Sequence, residues 1–154
     1  MAPERNAVCS GLGGSALKRI RVMVVDDSLQ FASAVAQFLA CDGRFEVLAS
    51  AHSGGEALAR AATEQPDLML IDISMPGVSG LAVASSIKAL QAPPKVVMMT
   101  LEDCMENRLG AIAAGADAFL PKIDFARELR NVVETLFGAG SAGDGRMDRV
   151  SRRF

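Results

Sequence analysis

Two hydrophobic periods alternate along the chain between residues 20 and 137. Ile20-Arg21-Val22-Met23-Val24-Val25 is a short, β-branched apolar run and predicts a buried strand. Phe31, Val35, Phe38 and Leu39 then recur at i, i+4, i+7 and i+8, the stripe of an amphipathic helix, with Ser28 placed as its N-cap and Gly43 as its stop. Phe45 to Ala49 predicts a second strand. Ser53-Gly54-Gly55-Glu56 has capping-box spacing and opens an Ala-rich helix that must end before Pro66. Leu68 to Ile71 reads as a third strand, followed by a turn at Met75-Pro76-Gly77 and a helix carrying Val83, Ile87 and Leu90. Pro93-Pro94 precede a fourth strand, Val96 to Met99. Met105, Leu109 and Ile112 repeat helically up to Gly115, a suitable residue for the turn beyond a helix end. Ala118-Phe119-Leu120 is a short fifth strand, and Asp124 is placed to cap a last helix through Leu129, Val132, Val133 and Leu136.

Five β-then-α units with helices of this length imply right-handed crossovers onto a parallel sheet covered on both faces, an α/β fold. In such a sheet the strand ends share one edge, where ligands bind at the switch in strand order. The first strand ends in Asp26-Asp27, the third in Asp72, the fourth in Thr100, and the fifth runs through Pro121 into Lys122. One Asp after a strand is ordinarily a helix cap. Four strand ends carrying complementary chemistry are not four independent caps.

The charges then narrow the chemistry. Three neighbouring carboxylates repel one another, and a hard divalent cation relieves them. Mg2+ keeps several waters and takes one or two direct carboxylates, leaving positions for a phosphoryl oxygen. Lys122 is a point charge suited to a second phosphoryl oxygen and Thr100 a hydrogen-bond donor to a third. Asp72, ending a central strand, is the candidate nucleophile that would form an acyl phosphate. His52 reads as an ordinary loop histidine and Met98, Met99 and Met105 as core packing.

Composition limits the alternatives. The chain has 154 residues, half of them hydrophobic, which supplies one domain with a real core and excludes global disorder. No apolar run approaches membrane-spanning length, and Met1 to Ser15 lacks the apolar core of a secretory signal, so the expected location is the cytoplasm with no membrane contact. Net charge is −2, with about +2 on residues 1–19, +2 on 138–154 and −6 between them. An acidic body with no Trp or Tyr argues against nucleic-acid binding. Cys9, Cys41 and Cys104, odd in number and widely spaced, read as free thiols. Glycine-rich stretches at 11–15 and 138–143 divide the chain into a flexible extension (1–18), one domain (19–137) and a flexible basic tail (138–154).

Arg21-Val22-Met23-Val24-Val25-Asp26-Asp27-Ser28, Asp72-Ile73-Ser74-Met75-Pro76-Gly77, Thr100 and Phe119-Leu120-Pro121-Lys122 together resemble the receiver domain of two-component response regulators. The resemblance covers residues 19–137. It implies a flavodoxin-like, doubly wound (βα)5 sheet of strand order 2-1-3-4-5, with Asp72 taking a phosphoryl group from the phosphohistidine of a sensor histidine kinase or histidine phosphotransfer protein. It further implies that Asp26, Asp27, Asp72 and the backbone carbonyl of Ser74 hold Mg2+, and that Lys122 pairs with the phosphoryl group. Thr100 would move toward that group and Phe119 turn inward behind it, altering the face of helix four, strand five and helix five for a downstream protein target or a phosphorylation-dependent dimer. Leu101 departs from the small residue usual after the switch threonine, and Phe119 replaces the frequent Tyr. The 17 residues after Phe137 are too few for an output domain, so the expectation is a stand-alone receiver whose only catalysis is its own phosphorylation and dephosphorylation. Two other readings compete. One is a non-switching binding module. The other is an aspartate-nucleophile phosphatase of the haloacid-dehalogenase type, whose second Asp would stand where Ser74 is.

Overall fold

A computed structural model of the chain describes residues 18–138. Five strands, β1 (Ile20–Val25), β2 (Phe45–Val47), β3 (Leu68–Asp72), β4 (Lys95–Thr100) and β5 (Ala118–Pro121), alternate with five helices. These are α1 (Leu29–Ala40), α2 (Gly54–Glu64), α3 (Gly80–Lys88), α4 (Met105–Ala113) and α5 (Phe125–Phe137). All neighbouring strands are parallel, in the order β2-β1-β3-β4-β5. The fold is the flavodoxin-like, doubly wound arrangement expected from the sequence. The proposed extension and tail lie almost wholly outside the described residues.

The apolar runs that read as continuous in sequence are split by the pleat, because successive side chains leave a strand on opposite faces. Met23, Val25, Met69, Ile71, Val96, Met98 and Phe119 pack with Ala57, Ala61, Val83, Ala84, Ile87 and Ala111 of α2, α3 and α4. Val22, Val24, Leu68, Leu70, Val97, Met99 and Leu120 pack with Val35 and Leu39 of α1 and Leu129, Val132 and Val133 of α5. The strands therefore carry two cores, one under each helical layer.

Helix starts follow the local sequence closely. Ser28, Ser53 and Ser79 each accept a hydrogen bond from a first-turn backbone N–H. At Ser53 the return half of the expected capping box is displaced by one residue: Glu56 Oε1 accepts from the N–H of His52, at 2.9 Å. α2 ends at Gln65, in the left-handed region with φ 48°, just before Pro66.

Three expectations need correction. Asp124 stands at the start of α5 but makes no capping bond; a 3-10 turn, Lys122–Asp124, intervenes, and the carboxylate pairs with Arg127 at 3.1 Å. Met98 and Met99 are fully buried, whereas Met105, with Leu109 and Ile112, faces outward at 68%, 57% and 47% exposure. α4 meets the body instead through Ala111 and Gly110, where an added Cβ would lie 2.8 Å from Leu81 Cδ1. Small residues bring the helix close, so its large apolar side chains are left on the other side. Finally, Cys104 is a free, exposed thiol but Cys41 is disulfide-bonded.

Candidate functional site

β3 lies between β1 and β4, so the carboxyl ends of these strands bring their terminal residues together. Asp26, directly after β1, is fully buried, and each of its polar atoms has a partner. Its N–H donates to Ala51 O at 3.0 Å. Its carbonyl accepts from His52 Nδ1 at 3.1 Å. Oδ1 accepts from the Ser28 N–H at 2.8 Å, and Oδ2 accepts from Lys122 Nζ at 2.7 Å. Lys122 thereby crosses from the end of β5 to the end of β1, with its ammonium 4.3 Å from the centre of the Phe31 ring.

Asp72 is 5% exposed; its Oδ1 accepts from the Ser74 N–H at 3.3 Å and lies 3.5 Å from Lys122 Nζ. Asp27 is exposed, and one oxygen from each of Asp26, Asp27 and Asp72 falls within 4.8 Å of the others. Three carboxylates thus face one ammonium. The donor set is all oxygen, and the excess negative charge sits where the exposed Asp27 carboxylate meets the buried Asp26 and Asp72. That arrangement fits a hard divalent cation.

The same electrostatics act on Asp72. Burial first, then the charge of Asp26, raise its pKa from 3.8 to about 6, with Lys122 and the Ser74 N–H only partly offsetting them. The folded chain therefore holds this proton more tightly than the unfolded chain. The pKa difference costs no stability while both states are protonated, and stability is lost as pH rises from about 4 through about 6. Asp72→Asn should stabilise the metal-free protein at pH 7.5 by on the order of 1–2 kcal/mol, allowing for solvent screening, and by much less near pH 4. Urea denaturation at the two pH values measures it. A variant no more stable than the parent at pH 7.5 would contradict the reading.

Thr100 ends β4 and is 2% exposed. Its hydroxyl donates to Glu102 O at 3.0 Å and accepts from Glu102 N–H at 3.0 Å and from Asn107 Nδ2 at 3.3 Å. Phe119 pairs with Met98 across β4 and β5, and is already buried. The Arg108 guanidinium lies 4.8 Å from its ring centre. Adjacent residues of α4, Asn107 and Arg108, thus contact Thr100 and Phe119 in turn. By strand parity these two belong to the α2–α3–α4 side of the sheet, while Asp72 continues the series of Leu68 and Leu70 on the α1–α5 side.

Asp26, Asp27, Asp72 and Lys122 therefore meet as the strand-end argument expects. Ser74, two residues after Asp72, donates its N–H to it, and Thr100 is held by its own loop. His52, Phe31 and Asn107 also build the site, and none was identified from sequence. Phe31 had only the signal of a helix stripe. His52 had only its place after a strand, because its partner lies 26 residues away.

Comparison with known proteins shows the family. Residues 22–134 match the family model described as response regulator receiver domain. This chain belongs to that family. The chain is 30% identical to the nitrate/nitrite response regulator protein homolog of Haemophilus influenzae over 68% of its own length and 50% of that protein. It is 38% identical to a protein-glutamate methylesterase/protein-glutamine glutaminase of Aliivibrio fischeri, over 76% of this chain and 32% of the other. The chain thus spans half or less of these curated relatives. Among solved structures, the signal receiver domain of the response regulator NarL from Mycobacterium tuberculosis superposes with a TM-score of 0.69 at 27% identity, covering 77% of this chain and 98% of that one. A CheY-like receiver domain protein from Methanospirillum hungatei gives 0.67 at 26% identity, over 80% and 100%. Among the described residues no helix of this receiver is long and apolar enough to cross a membrane.

Proposed function

We propose that this receiver accepts a phosphoryl group on Asp72 from the phosphohistidine of a sensor histidine kinase or a histidine phosphotransfer protein, in the cytoplasm, and passes the signal on through its α4–β5–α5 face. The observation that carries the reading is the convergence of Asp26, Asp27, Asp72 and Lys122 at one strand edge. In the transfer, a carboxylate oxygen of Asp72 attacks phosphorus and the P–N bond breaks. The imidazole nitrogen leaves with the bonding pair and takes up a proton. Most of the catalysis is positioning and charge neutralisation.

Asp27, Asp72, the carbonyl of Ser74 and, through its remaining lone pairs, Asp26 would hold Mg2+. The ion would neutralise the carboxylates and bind a phosphoryl oxygen. Lys122 supplies the fixed positive charge. Its present partners are the two buried carboxylates, so it re-pairs with the phosphoryl group as that group arrives. Thr100 would turn from Glu102 and Asn107 toward the phosphoryl group, loosening α4 from the Thr100 loop; Phe119 is already buried, so the inward turn expected of its ring is not needed. The outward apolar stripe Met105, Leu109 and Ile112 is then available to a downstream protein or a second phosphorylated copy. The site serves signalling rather than substrate turnover.

Incubation with acetyl phosphate and Mg2+ should give a single phosphoryl adduct in the intact mass, lost with EDTA and in Asp72→Asn. No adduct in the parent chain, with turnover of small phosphate esters instead, would favour the phosphatase. No adduct and no turnover would favour a non-switching module.

A further inference from the structure

We infer that His52 is a positioning residue for the metal site: through Nδ1–H it fixes the Asp26–Asp27 peptide plane and thereby aims the Asp27 carboxylate. The inference rests on the Mg2+ reading given above. A carbonyl oxygen can only accept, so the 3.1 Å contact between His52 Nδ1 and Asp26 O makes Nδ1 the protonated nitrogen. The Asp26 carbonyl and the Asp27 nitrogen belong to one planar unit whose far corner is the Asp27 Cα. Holding that oxygen sets the direction in which the Asp27 side chain leaves the backbone.

Asp27 needs such a restraint more than its neighbours do. Asp26 is locked by burial and by Ser28 and Lys122, and Asp72 by its place in β3, by Lys122 and by the Ser74 N–H. Asp27 is exposed and lies just past the strand end. His52 is itself anchored on both sides. Its N–H donates to Glu56 Oε1, and the preceding Ala51 bridges to Val25 and accepts from the Asp26 N–H. The displaced capping contact of Glu56 thus fixes the residue that fixes Asp27. Partners that hold ligating carboxylates in this way tune metal affinity without touching the ion.

Asn places an amide nitrogen at the position of Nδ1, two bonds from Cβ, whereas Gln places its amide one bond further out. A requirement for the Nδ1–H bond therefore predicts rescue by His52→Asn and not by His52→Gln, the reverse of a need for bulk. Calorimetric titration of the whole chain with Mg2+ should show affinity weakened about 3- to 10-fold in His52→Ala and His52→Gln, the loss of one hydrogen bond. His52→Asn should stay within about twofold of the parent, the part of that loss its amide restores. Long-range 15N–1H spectra of the metal-free parent, recorded at alkaline pH, should show the proton on Nδ1. Equal affinities in all four proteins, or rescue by Gln alone, would overturn the role, as would an Nε2–H tautomer. A parent chain that binds no Mg2+ would instead overturn the metal reading, and the tautomer would still decide the tie to Asp26.

Discussion

Gly80→Ala should destabilise the protein by on the order of 3 kcal/mol or more, a fall in melting temperature of roughly 10 °C or greater. A Cβ at position 80 would stand 1.9 Å from the Asp72 carbonyl oxygen, 2.8 Å from its carbonyl carbon and 2.9 Å from Ile73 Cα. All three are backbone atoms at the end of a central strand, with no rotamer to adjust. The Gly80 N–H donates to Ile73 O at 3.0 Å, so the first turn of α3 rests directly on the chain leaving β3. To admit a methyl group, α3 must lift or Asp72 must move, and either disturbs the cluster of Asp26, Asp27, Asp72 and Lys122. Gly55→Ala is the matched control, since a Cβ there meets nothing within 4 Å, and it should cost nothing. Thermal unfolding of both variants checks this. Equal melting temperatures would mean that α3 does not approach β3 as closely as the structure has it.

The other large effect concerns the metal. Asp27→Ala should weaken Mg2+ binding by at least about 30-fold, near 2 kcal/mol, because it removes the one carboxylate of the three that solvent and an incoming ion reach freely. Asp26→Asn should weaken it less. Both Asp26 oxygens already carry strong donors, the Ser28 N–H and the Lys122 ammonium, so Asp26 contributes charge more than an open ligand position. Saturating Mg2+ should raise the melting temperature of the parent by relieving the carboxylates, and this shift should be largely absent in Asp27→Ala. Calorimetric titration and thermal unfolding with and without millimolar Mg2+ measure both effects. An Asp27→Ala protein that binds Mg2+ as the parent does would remove that residue from the site.

The fold and the acidic centre were legible because their determinants are local. Each strand is a short apolar run, each helix a 3.6-residue stripe, and a polar residue just past an apolar run must lie on the strand-end edge. The rest depended on contacts that periodicity does not encode. Met105, Leu109 and Ile112 do form one face of α4, yet amphipathicity says only that a helix has an apolar side. Gly110 and Ala111, with no stripe of their own, decide which side meets the body. Asp124 has the composition of a cap, but a 3-10 turn precedes the helix and Arg127 takes its carboxylate. His52 reaches Asp26 across 26 residues and Lys122 reaches it across 96. The second link was inferable from charge, since an ammonium among carboxylates has an evident partner. The first, a ring nitrogen on a carbonyl, carries no such signature. Nor does Gly80, whose constraint is the backbone of β3 lying directly beneath it.

On the proposed function, Asp72 becomes an acyl phosphate. An acyl phosphate is an activated carboxyl group, and borohydride reduces it to a primary alcohol, converting the phosphorylated aspartate to homoserine while leaving ordinary carboxylates unchanged. The chain, phosphorylated with acetyl phosphate and Mg2+, then reduced and digested for peptide mass mapping, should carry homoserine at position 72 and aspartate at positions 26 and 27. Homoserine at 26 or 27, or aspartate at 72 in a chain that has taken up the phosphoryl group, would contradict the assignment.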